Sequence, residues 1–462
     1  MAEVIPFAGL VYRPEVALGI KTRDASPLLA PPYDVIGEPA RQELAGLSAF
    51  NCAHLILPQA PAGAASDARY AVAGATLAAW KRAGVLCRDP EPAFYRYHQI
   101  FAPPSVSPDA TGGGKIVRKG FIARIRLHRF SEGVVLPHER TLSGPKADRL
   151  KLKRATQTHL SQVFGLYDDP QRRADEAFCA LEQTEPELHG VTADGVEHRL
   201  WRLVDRDATA QVSAALRDKR IYIADGHHRY ETMLALRDEL RQAPGYTGLD
   251  SAVEYGSIFL CNACDPGLFV FPTHRVLHSV PGFDLRKLLS ALTAQFLVEE
   301  TPLPDGARAK AELEKRGQNQ VCFLLLSGGQ AFYLSLRESL RGDAQLGVGA
   351  GPDVLMGLDV TVLHSLVLEQ ALAIDRAAQE AQTYLRYLKD SEQALRAAAE
   401  PGVQAVFFMN PTRVSQVMQV SDAGEVMPQK STFFFPKIAS GIVLNPLHPA
   451  ESVIRPAGPD DR

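Results

Sequence analysis

Three short clusters of polar residues carry the chemistry that this chain's residue types and spacing allow. The most concentrated is Asp225-Gly226-His227-His228-Arg229, which follows the apolar run Ile221-Tyr222-Ile223-Ala224 and precedes a helical pattern from Tyr230 to Leu240. A strand that turns through glycine into a helix leaves the first N–H groups of that helix unpaired, and the helix dipole favours an anion there. Gly226 lets the backbone approach such an anion, and His228 and Arg229 can add donors. Asp225 could hold a metal or orient a histidine, or serve simply as an N-cap. The second cluster is Pro137-His138-Glu139-Arg140-Thr141, followed by Gly144-Pro145-Lys146. A carboxylate between His and Arg, on a loop bounded by prolines, suits a general base tuned by its neighbours, and equally suits a salt-bridged surface loop. The third is Lys430-Ser431-Thr432, between Pro428 and Phe433-Phe434-Phe435. A lysine and two hydroxyls ahead of a buried strand can ligate phosphate or carboxylate; the plainer reading makes the aromatics core and Lys430 a surface cation.

Two other features invite chemistry and carry less of it. Gly112-Gly113-Gly114-Lys115 lacks the earlier glycine of a phosphate loop and has Ile116 after the lysine, so these read as turn glycines. Cys261 and Cys264 form a CxxC with no second pair to complete a tetrahedral metal site, and the other cysteines, Cys52, Cys87, Cys179 and Cys322, are scattered in mostly apolar surroundings. All six read as small core residues, not a disulfide framework.

The elements that must position these clusters follow from local pattern. Ala30-Pro31-Pro32-Tyr33-Asp34-Val35-Ile36 reads as extended, Ala53 to Pro58 as a short buried strand, and Ala68 to Ala83 as a helix ended by Gly84. Phe94 to Ile100 and Lys115 to Leu127 read as a hairpin with a long loop, and Asp148 to Thr156 as a short helix after Pro145. A helix is expected around Arg172 to Glu185, and strands at Val196 to Val204, Ser257 to Cys261, Leu268 to Phe271, Gln320 to Leu326 and Ala331 to Leu336. Beyond Asp353 come a long helical stretch from Val360 to Ile374, a helix from Ser391 to Ala399, a strand at Ala405 to Met409 and a helix from Arg413 to Val420. This alternation argues a mixed α/β (α+β) fold without internal repeats.

Composition bounds the function. With 462 residues, 50 Lys+Arg against 53 Asp+Glu, a net charge of −3 and 46% hydrophobic residues, the chain is globular and long enough for several cores. The charge balance offers no basic field for a phosphate backbone, which argues against nucleic acid as a partner. No basic run with an apolar stretch opens the chain, and no segment approaches the ~18 apolar residues of a membrane span, so a soluble, cytoplasmic protein without a membrane partner is expected.

The strand-Asp225-Gly226-His227-His228-Arg229-helix element resembles the phosphate-binding motif of the ParB/sulfiredoxin superfamily, and its double histidine is most similar to archaeal ADP-dependent free serine kinases. Pro137-His138-Glu139 resembles the segment that carries the proposed catalytic glutamate of those kinases. Val406-Phe407-Phe408 through Asn410-Pro411-Thr412 to Pro428-Gln429-Lys430-Ser431-Thr432 resembles their C-terminal element. Nearly the whole chain also resembles a bacterial family of unknown function, marked here by Pro31-Pro32-Tyr33-Asp34-Val35-Ile36, Pro137 to Thr141, Gly226 to Tyr230 and Lys430 to Thr432. The resemblance implies an N-terminal Pro/Ala-rich segment (1–92) packed on the core, a ParB/sulfiredoxin-like phosphate-binding module (93–245), a mixed α/β insertion (246–352) and a C-terminal α/β module (353–462) that completes the site. The kinase-like motifs cover about a quarter of the chain, and the N-terminal ninety residues and the segment between Glu231 and Asp353 have no counterpart in kinases about half this length.

What the resemblance implies is a phosphotransferase acting between an adenine nucleotide, ADP or ATP, and serine or phosphoserine. Glu139, Asp225 and His228 would be catalytic, with Glu139 as the base and Asp225 positioning substrate or metal. Gly226, His227, Arg229, His138 and Lys430 would hold the nucleotide phosphates, and Ser431, Thr432, Arg140 and Thr141 the substrate. Mg²⁺ is implied as the ion that bridges donor oxygens. The competing readings are a ParB-like nucleotide-binding regulatory protein and a phosphoserine phosphatase using the same residues with water as acceptor. Direction of transfer and oligomeric state are not legible in the residues.

Overall fold

The computed structural model describes residues 1–102, 114–139, 144–340, 353–428 and 430–456. The fold is mixed α/β and is built on two sheets. In the larger, strands run in the order Val135–Leu136, Ile221–Asp225, Val163–Tyr167, Tyr255–Asn262, Ile116–Arg126, Phe94–Phe101, Glu197–Leu203 and Leu188–Val191, with Val4–Ile5 paired to Ile116–Arg126. Parallel pairing occurs at Ile221–Asp225 beside Val135–Leu136 and at Tyr255–Asn262 beside Val163–Tyr167; the other pairs are antiparallel. The first parallel pair sets the site, because the ends of Val135–Leu136 and Ile221–Asp225 point the same way and deliver Glu139 and Asp225 to one edge of the sheet.

Phe94–Phe101 is buried along its whole length although Arg96, His98 and Gln99 lie within it. The polar face is covered by carboxylates: Arg96 bonds Asp175 at 2.8 Å and Glu182 at 2.7 Å. An alternation that would read as half-solvated is thus enclosed, each buried guanidinium being paired.

The smaller sheet is wholly antiparallel, in the order Phe296–Thr301, Gln330–Leu336, Cys322–Ser327, Val403–Phe408, His274–His278 and Leu385–Leu388. Period-two alternation divides its residues between two cores. Cys322, Leu324, Leu326, Val406 and Phe408 pack with Ala309, Leu313, Ala394 and Ala397 of the helices Gly306–Gly317 and Ser391–Ala397. Phe323, Leu325 and Phe407 belong to the main core with Leu363, Leu366 and Val367 on the other face. Asp284, Asp305 and Asp390 cap three helices of this layer by accepting from Lys287 N at 3.1 Å, Arg308 N at 2.8 Å and Gln393 N at 2.7 Å. This sheet takes strands from both sides of position 352, so stretches 246–352 and 353–462 share one core, while Tyr255–Asn262 belongs to the larger sheet.

Several elements differ from their sequence reading. Ala53 to Pro58 is not a strand but the short helix Ala53–Ile56. Asn51 decides this: its side chain accepts from Ala53 N at 2.9 Å and donates to the carbonyls of Pro27 and Leu29, turning the chain before the apolar run can extend. Arg172 to Glu185 holds only the helix Arg173–Glu176 and a 3₁₀ turn at Leu181–Gln183, because Asp175 and Glu182 are drawn to Arg96. Val360 to Ile374 is an α turn, Asp359–Val362, running into a π-helix, Leu363–Ala371. In that wider turn His364 bonds Gln379 at 2.7 Å and Arg275 at 3.3 Å. Tyr33–Val35 is a 3₁₀ turn inside the segment expected to be extended. Cys52, Cys261 and Cys322 are core residues as expected, but Cys179 and Cys264 are exposed. The loop glycines Gly112 and Gly113 lie outside the described residues.

After the smaller sheet the chain returns to the larger one. Met427 N donates to His138 O at 2.8 Å, Phe434–Phe435 pairs with Phe269–Val270, and Asn445–Pro446 pairs with Thr158–His159. This return brings Lys430 to Lys437 beside the Asp225 turn, some 200 residues away in sequence. Among the described residues no helix is long and apolar enough to cross a membrane.

Candidate active site

The three clusters meet through direct hydrogen bonds. His138 is fully buried, and its Nδ1 donates to Ile223 O at 2.6 Å. Burial lowers its proton affinity, so the ring is neutral and Nε2 accepts the Thr432 hydroxyl at 2.8 Å. His227 is also buried; its Nε2 accepts from His138 N at 3.3 Å, and burial followed by the neighbouring His138 holds it well below the usual histidine range. Both rings are therefore neutral with fixed tautomers, and they serve as braces between elements. Both ring nitrogens of His138, and Nε2 of His227, are thus bonded inside the protein, where the sequence reading has these residues hold nucleotide phosphate.

Glu139 stands at the edge of this frame, its side chain 19% exposed. Its Oε1 accepts from Ser431 N at 3.0 Å and Thr432 N at 3.2 Å. Two backbone donors on one oxygen fix the carboxylate's direction. The hydroxyls of Ser431 and Thr432 turn inward, to Pro428 O at 2.5 Å and to His138. These two residues hold Glu139 in place through their backbone, and their hydroxyls, expected to line the substrate, are bonded inside the protein. Lys430 is exposed, in a left-handed backbone conformation (φ +59°), and its carbonyl accepts from Arg275 at 3.4 Å. Arg140 and Thr141 lie outside the described residues.

Asp225 ends its strand and Gly226 turns the chain at φ +90° into the helix His227–Leu240. Arg229, one helical turn on, donates to Asp225 Oδ2 at 2.6 Å and to Gln162 O, and Lys437 donates to Asp225 Oδ1 at 2.8 Å. Burial alone would raise the Asp225 carboxyl, but Lys437 and Arg229 outweigh it and pull the group below the ordinary carboxylate range. With both oxygens committed to cations, Asp225 does not fit the role of a Mg²⁺ ligand, and Arg229 is a buried partner of Asp225 rather than an open phosphate donor. Among the described residues no group of three or more His, Cys, Asp or Glu is arranged to hold a metal. His228 is half-buried with its proton affinity lowered by burial, against which Glu231 and Asp34 act. A side chain at position 226 would be strained by the positive φ, and its Cβ would come 2.9 Å from Arg229 Nε. Gly226→Ala should cost at least ~1–2 kcal/mol in urea unfolding.

Lys437 also lines a cleft of about 630 Å³ between the sheets, within the range of a small-ligand site. Its walls are Pro31, Pro32 and Val35 from the N-terminal segment, Tyr387 and Lys389 from the smaller sheet, and Phe271, Phe433 and Phe435. Lys389 and Lys437 flank the Phe433 ring with Nζ 3.4 and 4.4 Å from its centroid. Burial, then repulsion from Lys437 and Lys430, brings the Lys389 ammonium down to about 8. Asp34 is exposed and acts favourably on the charges of His228, Arg229 and Lys389. Sequence reading assigned no role to Asp34, Lys389, Lys437 or Arg275. Asp34 stands inside a segment already singled out and Lys437 just beyond Phe433-Phe434-Phe435; Lys389 and Arg275 carry no local signal.

The model of a family described as "Protein of unknown function (DUF1015)" matches residues 4–361. The chain belongs to this DUF1015 family. A search of curated proteins finds no match. Among solved structures, the DUF1015 chain is similar to a conserved hypothetical protein from Pyrococcus furiosus, at 14% identity and a TM-score of 0.34 over 71% of this chain and 95% of that one. A free serine kinase in complex with AMP matches at 13% identity and a TM-score of 0.34, over 68% of this chain and 86% of that one. SbnI with C-terminal truncation from Staphylococcus aureus matches at 11% identity and a TM-score of 0.31, over 70% and 86%.

Proposed function

We propose that this DUF1015 protein is a phosphotransferase that moves a phosphoryl group between an adenine nucleotide, ADP or ATP, and serine or phosphoserine, with Glu139 as general base. The observation that carries this reading is the joining of three distant motifs by direct bonds: Glu139 to Ser431 and Thr432, His138 to Thr432 and His227, and Asp225 to Lys437. Phosphoryl transfer asks for positioning and for positive charge around the transferring oxygens, more than for covalent chemistry by the protein. Here Glu139 is aimed by two N–H groups, the first turn of His227–Leu240 offers the positive end of a helix dipole, and Lys389, Lys430 and Lys437 supply cations. In the forward direction the acceptor hydroxyl loses its proton to Glu139 as its oxygen bonds to phosphorus, and the bond from phosphorus to the nucleotide oxygen breaks. In reverse, the protonated Glu139 returns that proton.

The test is mass spectrometry of products from the full chain incubated with Mg²⁺, serine and ADP or ATP, and in reverse with phosphoserine and AMP or ADP. Phosphoserine or the matching nucleotide should form; release of inorganic phosphate without a nucleotide acceptor would identify a hydrolase instead.

The cleft with Phe433 and the two lysines is assigned to the nucleotide. Lys389→Met should weaken ADP binding by at least about tenfold, the loss of one charged contact to phosphate. Because Lys389 is charged only below about 8, wild-type ADP affinity should fall as pH rises through that value, and the variant should lose that part of the dependence. Titration calorimetry across this range reads both.

A further inference from the structure

Beside the Asp225 turn, next to the helix Gly144–Thr156, lies a small pocket of about 30 Å³. A water needs roughly 10–15 Å³ by this measure, so the space suits a carboxylate or two waters. Its lining includes Arg149, Lys153 and Arg229, with Tyr33 and Ser161, and contains no carboxylate. The two arginines have counter-charges elsewhere: Arg149 Nε donates to Asp148 at 2.6 Å, and Arg229 to Asp225 at 2.6 Å. Lys153 differs. It is 8% exposed, and its hydrogen bond is to His159 Nδ1 at 3.3 Å, in a ring whose Nε2 has no hydrogen-bond partner among the described residues.

An ammonium buried without an anion destabilises a fold, and an apolar side chain of the same length would fill the space at less cost. Burial, then Arg229 and Arg149, lowers this amine to about 7, which makes its charge easily drawn out by an arriving anion. Ser161 Oγ lies 2.9 Å from Ser440 Oγ and can turn its proton to an incoming oxygen.

We propose that this pocket receives the carboxylate of the amino-acid acceptor, with the Lys153 ammonium as its counter-charge. The inference rests on the phosphotransferase reading for the identity of the ligand, and on the pocket's own chemistry for the class of anion.

Titration calorimetry with the full chain tests it, using L-serine, acetate, inorganic phosphate and 2-amino-1,3-propanediol, in which a hydroxymethyl group replaces the carboxylate. L-serine should bind at least about tenfold tighter than the diol, and Lys153→Met should lose that preference while melting at a higher temperature than wild type. Equal binding of L-serine and the diol, L-serine affinity unchanged in Lys153→Met, no L-serine binding at all, or a phosphate preference that depends on Lys153 would each overturn the proposal. Should the variant not fold, acetylation of wild-type Lys153 by acetic anhydride, read by peptide mass spectrometry, replaces it. L-serine near ten times its Kd should slow that labelling about tenfold, and the diol should not; labelling indifferent to L-serine overturns the proposal. L-serine bound through Lys153 without phosphotransfer from any nucleotide would sink the phosphotransferase reading and leave the pocket standing. Phosphotransfer with Lys153 indifferent to serine would do the reverse.

Discussion

Glu139→Gln should lower the rate of phosphoserine formation by about 10²–10⁴-fold, the usual contribution of a positioned general base. The amide oxygen of glutamine still accepts from Ser431 N and Thr432 N, the bonds that fix Glu139 Oε1 at 3.0 and 3.2 Å, so the side chain keeps its place. ADP affinity and melting temperature should therefore stay close to wild type while turnover collapses. Turnover within tenfold of wild type would remove Glu139 from the mechanism. A parallel loss of stability would mean that the carboxylate acts mainly as a structural tie.

Asp225→Ala should destabilise the fold by ~3–5 kcal/mol, because it leaves the buried Arg229 and the half-enclosed Lys437 without their common anion. Arg229 is 6% exposed and Lys437 14%, so solvent cannot take the carboxylate's place. Asp225→Leu combined with Arg229→Met should recover part of that loss, since the double change removes the unpaired guanidinium along with the carboxylate and leaves only Lys437 without its anion. Acid sensitivity provides a second readout. The Asp225 carboxyl is held below the ordinary range, so its contribution is complete above the unfolded value of about 3.9 and is lost as pH falls through the folded one. Urea unfolding at a series of acidic pH values should show a shallower decline in Asp225→Ala than in wild type. Equal slopes would mean that other carboxylates carry the acid transition.

What the sequence by itself determined was the inventory of the site and the elements next to it. Ile221 to Ala224 is a strand because it is an unbroken apolar run, and Gly226 is a turn because it can adopt φ +90° before a helix starts. Such signals are local, with a reach of one strand or one helical turn. The mixed α/β class was legible for the same reason. Local reading failed where a distant partner overruled the pattern: Asn51 bent an apolar run into a helix, and Arg96 drew Asp175 and Glu182 out of a longer one.

Only the tertiary structure decided which of the site's polar atoms face outward. In sequence, His138, His227, Arg229, Ser431 and Thr432 all look like ligands, but their bonding capacity is spent on one another and on backbone, as burial of a polar group requires. Glu139, with Oε1 tied to two backbone N–H groups and its side chain still 19% exposed, emerges from that frame. Lys389 and Lys153 came into view for the opposite reason. Each is a lysine with nothing unusual beside it in the chain, and becomes informative once folding removes it from water with no carboxylate bonded to it among the described residues. Desolvation is a property of three-dimensional surroundings, and no spacing of residues along the chain encodes it.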